Sequence, residues 1–285
     1  MTTQEAYQKL LLTLYTIYDT KESANIASWV MENITHFSKL DRIMNKEIVL
    51  TDQQQQQLQD YTDKLLRHIP VQYILSEAWF YNFKLYVNEQ VLIPRPETEE
   101  LVEWVVSSYP QKKINEPMHI IDVGTGSGCI AITLKKQIPA ATITAIDISA
   151  EALAVAKRNA ATLLSSIHFQ QLDFLDTATW ATLPTPDILV SNPPYIPLKE
   201  KASIAKHVKD YEPATALFVP DNNPLIFYKA LAQFALKYMQ PKSFLFAEVH
   251  ANYGREVYTL WTTMGLKAVL KKDMQGKNRM IKGQV

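Results

Sequence analysis

Glycine is scarce in this 285-residue chain, with 7 in total; there is one cysteine, and neither sign of charge is in excess. The lone Cys129 excludes an internal disulfide. The histidines (His36, His68, His119, His168, His207 and His250) are scattered, and no His/Cys spacing suits zinc, so no metal is expected. Lys+Arg and Asp+Glu each total 29, giving a formal net charge of zero. A protein living on duplex DNA usually carries a basic footprint, because phosphate neutralisation supplies much of its affinity; the totals show none, and no direct nucleic-acid partner is expected. No run approaches the roughly 18–20 apolar residues of a membrane span. The opening MTTQEAYQKL lacks the charged flank and apolar core of a signal peptide. With the single cysteine, these absences point to the cytoplasm.

What is present is ordinary for a globular protein, 47% hydrophobic and 20% charged. The length suits one large domain plus a smaller one. Residues 1–75 read as helical. Ala6, Leu10, Leu14 and Ile17 form one stripe at helical spacing, and Ile26, Trp29, Val30 and Ile34 form another. Thr51 with Gln54 suggests a capping box opening a helix that Pro70 closes, and Gln53–Gln57 reads as its solvated face. The run Trp79–Val87 is aromatic and β-rich, with Asn88-Glu89 a plausible turn before Val91-Leu92-Ile93, so a β-hairpin is expected over 76–95 as a link.

From residue 118 strand and helix patterns alternate. Strands are expected at His119–Val123, Ile143–Ile146, Ile167–Gln171, Asp187–Val190, Phe244–Val249, Lys267–Leu270 and Arg279–Lys282. Helices are expected at Ser149–Ala161, Leu225–Tyr238 and Tyr253–Met264. This alternation predicts an α/β domain with a mostly parallel sheet and ligand sites at the carboxyl ends of its strands.

Three of the few glycines lie in Asp122-Val123-Gly124-Thr125-Gly126-Ser127-Gly128, directly after the first of these strands. Glycine there permits positive φ and close approach of backbone to a ligand. A dinucleotide loop usually spaces its third glycine one residue later. Asp147 ends the next strand, where its carboxylate could take ribose hydroxyls or cap a helix. One strand further, Asp173 and Phe174 could meet an adenine amine and ring, although Phe174 reads almost as well as core. The strand Asp187–Val190 leads into Ser191-Asn192-Pro193-Pro194-Tyr195. Two prolines hold the backbone extended and remove N–H donors, leaving carbonyls, the Asn192 amide and the Tyr195 ring to face a ligand. That surface suits a planar NH2 group: one hydrogen to the Asn192 side-chain oxygen, the other to the Pro193 carbonyl, with Tyr195 packed alongside.

Taken in order, Ile93-Pro94-Arg95-Pro96-Glu97-Thr98-Glu99, the glycine loop, Asp147, Asn192–Tyr195, Tyr211-Glu212-Pro213 and Asp273–Arg279 resemble the HemK/PrmC family of release factor glutamine methyltransferases. The resemblance runs nearly the whole length. It implies a class I S-adenosylmethionine-dependent methyltransferase: a Rossmann-like, mostly parallel seven-stranded sheet in residues 96–285, and a small all-helical substrate-recognition domain in residues 1–75. It implies methyl transfer to the side-chain amide nitrogen of the glutamine in the Gly-Gly-Gln motif of peptide chain release factors, with S-adenosylhomocysteine as product. Gly124, Thr125, Gly126, Ser127, Gly128, Asp147, Asp173 and Phe174 would hold S-adenosylmethionine. Asn192, Pro193, Pro194 and Tyr195 would hold the glutamine, with Arg95 and Glu97 as support or substrate contacts. A monomer is expected. Three departures stand out: the family's frequent glycines are missing from His68–Glu77, its Pro-Gly-Gly turn reads Pro241-Lys242-Ser243, and Glu248-Val249-His250 replaces a glycine after the glutamate. The alternatives are a methyltransferase acting on the exocyclic amine of adenine, which shares Asn-Pro-Pro-Tyr, an NAD(P)-dependent oxidoreductase, and a non-catalytic binding protein.

Overall fold

The computed structural model describes residues 1–108 and 118–285, which divide into two compact units. The smaller comprises Met1–Ser76 with Ala205–Tyr211, and the larger Glu77–Ile204 with Glu212–Val285.

The smaller unit is helical: α1 (Thr3–Leu14), α2 (Thr20–Thr35), α3 (Lys39–Met44), α4 (Asp52–Leu66) and α5 (Val71–Leu75). Ala6, Leu10 and Leu14 pack on Ile26, Ala27, Val30, Met31 and Ile34 in one core, so the stripe on α2 is shifted toward Ala27 and Met31. Trp29 is left exposed. The capping box at Thr51 and Gln54 forms as expected. The helix it opens ends at Leu66, and Pro70 instead precedes α5. The glutamine run is more than a solvated face. Gln54 donates to the Ile34 carbonyl and Gln55 to that of Leu50, at 3.1 and 3.0 Å.

The larger unit opens with the hairpin β1 (Glu77–Phe80) and β2 (Phe83–Tyr86). Its tight turn is at Tyr81-Asn82; the expected turn at Asn88-Glu89 also forms, with Val91 N–H donating to the Asn88 carbonyl at 3.2 Å, but it lies beyond β2. Tyr81 adopts φ +58° inside the aromatic run, its N–H held by the Glu99 carboxylate at 2.8 Å, and Val91–Ile93 is not a strand. A distant acid fixes that turn, which no local pattern could reveal. Phe80 and Leu85 join the core of this unit beside Leu101, Val102 and Ile120, so the hairpin is an integral layer rather than a link.

Next come α6 (Pro96–Ser108), β3 (Met118–Val123), α7 (Cys129–Gln137), β4 (Ala141–Asp147), α8 (Ala150–Thr162), β5 (His168–Gln171), β6 (Ile188–Ser191) and β7 (Ile196–Pro197). After α9 (Lys206–Tyr211) follow α10 (Ala214–Leu217), β8 (Phe218–Val219), α11 (Ile226–Tyr238), β9 (Phe244–Glu248), α12 (Gly254–Thr263), β10 (Lys267–Lys272) and β11 (Asn278–Gln284). Among the described residues a seven-stranded sheet runs β10-β11-β9-β6-β3-β4-β5, with β11 antiparallel to both neighbours and the remaining pairs parallel. All seven strands expected after residue 118 are present.

The period of two along each strand sorts side chains into two cores. Ile121, Val123, Leu189, Leu245 and Ala247 face one cluster, while Ile120, Ile188, Val190 and Phe246 face the other. Chain order reverses between β3 and β6, where crossovers leave in opposite directions and open a crevice beyond the strand ends.

Candidate active site

The loop after β3 is fixed from below. Gly124 and Thr125 both donate their N–H to the Ile146 carbonyl, at 2.9 and 3.0 Å, and Thr125 Oγ1 donates to Asp122 Oδ2 at 2.6 Å. Gly124, Gly126 and Gly128 all have positive φ, which L side chains adopt only with strain. Their surroundings differ. A Cβ at Gly124 or Gly126 would meet nothing within 4 Å, whereas one at Gly128 would press Ile132 Cδ1 at 3.1 Å and Ala156 Cβ at 3.2 Å. The first two therefore keep space open for a ligand, while Gly128 lets α7 approach α8.

Asp147 lies at the end of β4 with both oxygens engaged. Oδ2 accepts from Gly126 N–H at 2.9 Å and Oδ1 from Ser149 N–H at 3.0 Å. It does not cap α8; Ser149 does, accepting from Ala152 N–H. Burial raises the Asp147 pKa, offset by these N–H donors. Asp173 is exposed, its Oδ1 accepting from Leu175 N–H at 2.9 Å. Phe174 is 4% exposed, with its ring 5.5 Å from both Trp180 and Phe234. It belongs to the core as much as to the site, because the aromatic cluster claims its faces.

At the end of β6, Ser191 Oγ donates to the Val123 carbonyl at 2.8 Å and ties this exit to β3. Asn192 Nδ2 donates to Thr98 Oγ1 at 3.1 Å. Thr98 Oγ1 donates to Glu248 Oε2 at 2.7 Å, and the Tyr195 hydroxyl donates to Glu248 Oε1 at 3.1 Å. Glu248, at the end of β9, is 1% exposed. Burial raises its pKa, opposed by the Thr98 bond and by the charge of Arg279. Burial also raises the Tyr195 pKa, keeping that hydroxyl protonated.

Arg95 meets a Glu212 whose side chain is fully buried, and the same carboxylate accepts from Ile93 N–H at 3.1 Å. One glutamate thus joins the two segments, Ile93–Glu99 and Tyr211–Pro213, that stood out in the sequence. Glu97 is partly exposed, and its charge reaches Glu248 and Arg279.

A single cavity of about 360 Å³ runs along these strand ends. Gly124–Ser127, Asp147, Asp173 and Phe174 line it together with Arg95, Asn192, Pro193 and Pro194. Gly128, Glu97 and Tyr195 are not among its lining residues. Sequence reasoning missed Thr98, Ile148 and Phe227 in the lining, and Glu248 behind it. Ile148, an apolar residue immediately after the strand-end acid Asp147, is a signal that could have been read.

The site fits S-adenosylmethionine. Asp122 Oδ1 and Ser127 Oγ are buried without a hydrogen-bond partner. Burial lifts the Asp122 pKa to about 7. Ser127 lines the cavity, so a ligand bearing a carboxylate offers its hydroxyl a partner, and the open space at Gly124 and Gly126 admits the ligand's backbone-like part; Asp122 lies outside the lining.

Two family models match the chain: the PrmC N-terminal domain over residues 6–75 and the methyltransferase small domain over residues 105–210. The release factor glutamine methyltransferase of Flavobacterium psychrophilum is 39% identical over 270 residues, covering 94% of each chain. The chain belongs to the release factor glutamine methyltransferase family. The Bacteroides thetaiotaomicron relative of the same name is 36% identical over 269 residues, covering 94% of this chain and 95% of its own. A human methyltransferase 10 domain containing protein shares the fold, with a TM-score of 0.50 at 15% identity over 70% of this chain and 87% of its own. The larger unit is therefore a class I methyltransferase, and the oxidoreductase alternative falls away.

Proposed function

We propose that this chain transfers the methyl group of S-adenosylmethionine to the side-chain amide nitrogen of the glutamine in the Gly-Gly-Gln motif of peptide chain release factors. The observation that carries this reading is the continuity of one cavity from the glycine loop to Asn192-Pro193-Pro194. Its cofactor end would be held by Gly124–Ser127 and Asp147, and its acceptor end by Asn192 and the Pro193 carbonyl. Tyr195, whose hydroxyl is engaged by Glu248, would act through its ring, and Arg95 through the order it imposes with Glu212.

Bound S-adenosylmethionine supplies a methyl group on a positively charged sulfur. Everything else falls to the protein. An amide nitrogen is a poor nucleophile because its lone pair is delocalised. Asn192 Oδ1 and the Pro193 carbonyl can each accept one hydrogen of the acceptor NH2, fixing its plane so that the lone pair points at the methyl carbon. As the new N–C bond forms, the C–S bond breaks. The nitrogen, now cationic and strongly acidic, releases a proton to water, so no strong base is required. The relatives' names favour this reading over adenine methylation.

The helical unit would recognise the body of the release factor, in a cytoplasmic enzyme acting as a monomer. Among the described residues no helix is long and apolar enough to cross a membrane. The test is transfer of labelled methyl from S-adenosylmethionine to a purified release factor, beside its Gln→Ala variant. Labelling of the unmodified factor alone, lost with Asn192→Ala, is expected. Labelling of neither factor, with cofactor still bound, would refute it.

A further inference from the structure

The acceptor end has an ambiguity that backbone geometry does not resolve. A carboxamide turned over by 180° keeps its shape but exchanges an acceptor for two donors. If Asn192 presented Nδ2 to the cavity, it would oppose the NH2 of a glutamine acceptor rather than bind it. Some group has to choose the face.

Thr98 and Glu248 make that choice. Glu248 accepts on both carboxylate oxygens, from Thr98 Oγ1 at 2.7 Å and from the Tyr195 hydroxyl at 3.1 Å. Its backbone carbonyl is held by the Tyr228 hydroxyl at 3.0 Å, so it sits in a fixed frame. Arg279, itself held by Asp273 at 3.2 Å, opposes the burial that raises the Glu248 pKa, and the geometry, with an O–H donor on each oxygen, is that of a carboxylate accepting on both sides. A threonine hydroxyl has one proton. Having given it to Glu248, Thr98 has only lone pairs left for Asn192, whose Nδ2 stands 3.1 Å away. Turning the Asn192 amide over would set two acceptors against each other at that distance. Nδ2 is therefore pinned behind, and Oδ1 is the atom left for the acceptor.

We infer that Thr98 and Glu248 are positioning residues which set the Asn192 amide with its oxygen toward the acceptor and so select a carboxamide over a carboxylate. This rests on the reading that the acceptor is glutamine, and deepens it: specificity is set by a proton direction two bonds behind the residue that touches substrate.

The test uses the full chain with three proteins, the parent enzyme, Thr98→Val and Thr98→Ser, and two release factors, one unmodified and one with the motif glutamine changed to glutamate. No transfer by the parent enzyme to the unmodified factor would overturn the acceptor reading and the relay with it. Once transfer is seen, Thr98→Val, which keeps the shape and removes the hydroxyl, is expected to lower kcat by about 10- to 100-fold, the scale of a misoriented reacting group. Affinity for S-adenosylhomocysteine should stay within about twofold, showing the fold and cofactor end intact. The preference for the glutamine factor over the glutamate factor, read as competing inhibition, should narrow, since the freed amide can now present its NH2 to a carboxylate. Thr98→Ser, with its hydroxyl restored, should recover most of kcat and the preference. Unchanged kcat and preference in Thr98→Val, or a Thr98→Ser no better than Thr98→Val, would overturn the relay.

Discussion

Asn159 on α8 is 2% exposed and spends its whole amide on three backbone groups. Its Nδ2 donates to the Tyr86 and Ser127 carbonyls, each at 2.9 Å, and its Oδ1 accepts from Tyr86 N–H at 2.7 Å. One side chain thus ties the hairpin to the cofactor loop, aided by Arg158 lying 3.5 Å over the Tyr86 ring. Asn159→Leu keeps the volume and deletes the bonds. Leaving a buried polar group unpaired costs about 1–3 kcal/mol. The Ser127 carbonyl is fully enclosed, whereas water can reach the two groups of half-buried Tyr86. The sum is therefore nearer ~3–4 kcal/mol than three full penalties. Asn159→Asp should be at least as damaging: it keeps the acceptor for Tyr86 N–H but turns a carboxylate toward two carbonyls. Denaturant unfolding measures the loss. Amide hydrogen exchange at Tyr86 localises it, with protection falling more than in the β3–β4 pair. Binding of S-adenosylhomocysteine should weaken in both variants, because Ser127 loses its tether. A loss below about 1 kcal/mol for Asn159→Leu, or an Asp variant clearly better than Leu, would show that packing rather than hydrogen bonding holds this joint.

Asp122 yields a pH prediction. Burial raises its pKa from 3.8 to about 7, so between those values the native chain holds a proton that the unfolded chain has lost. Stability then falls as pH rises through this window, by up to ~4 kcal/mol from this group alone. Cofactor-free Asp122→Asn should accordingly gain on the parent protein in melting temperature from pH 5 to pH 8; a constant difference would count against the raised pKa. Glycine exchanges should separate loop from packing. Gly124→Ala, whose new Cβ meets open space, should cost about 1 kcal/mol of backbone strain and weaken cofactor binding further, whereas Gly128→Ala adds the clash with Ile132 and Ala156 and should lose more stability. Titration of cofactor binding and denaturant unfolding, run together, distinguish the two. Arg95→Ala strands the buried Glu212 carboxylate with the Ile93 N–H and should destabilise by roughly 3 kcal/mol, with Glu212→Gln in the same background recovering part of it in thermal unfolding. Lys242 holds φ +76° where the family usually has glycine, so Lys242→Gly should stabilise the chain by about 0.5–1 kcal/mol in the same assay.

The parts of this protein that were readable in sequence are those whose physics is local. Short strand-like runs alternating with helical patterns placed the seven strands, because strands covered on both faces read as near-continuous apolar segments. Glycines concentrated after β3 marked the loop that needs positive φ, and two successive prolines marked the exit that must lack N–H donors. Missing glycines were informative too: His68 and Ser76, within the segment where glycines were expected from the resemblance, both take left-handed φ, the conformation glycine adopts without strain. The failures share a different cause. The hairpin turn depends on Glu99 reaching Tyr81 across 18 positions, Arg95 on Glu212 across 117, and Asn192 on Thr98 and Glu248 across 94 and then 150. Nothing in the composition of Phe244–Glu248 distinguishes a glutamate that orients an amide from one that ends a strand. Phe174 satisfies both readings its position allowed: it packs against Trp180 and Phe234 and also lines the cavity, a double placement that only the fold displays. The residues proposed to touch ligand are thus announced by their own chemistry. Those that choose a proton's direction or a turn's position are defined only by what the fold brings beside them, which is why Thr98→Val, in a segment that stood out without disclosing this residue's role, is the substitution that discriminates most sharply among accounts of this site.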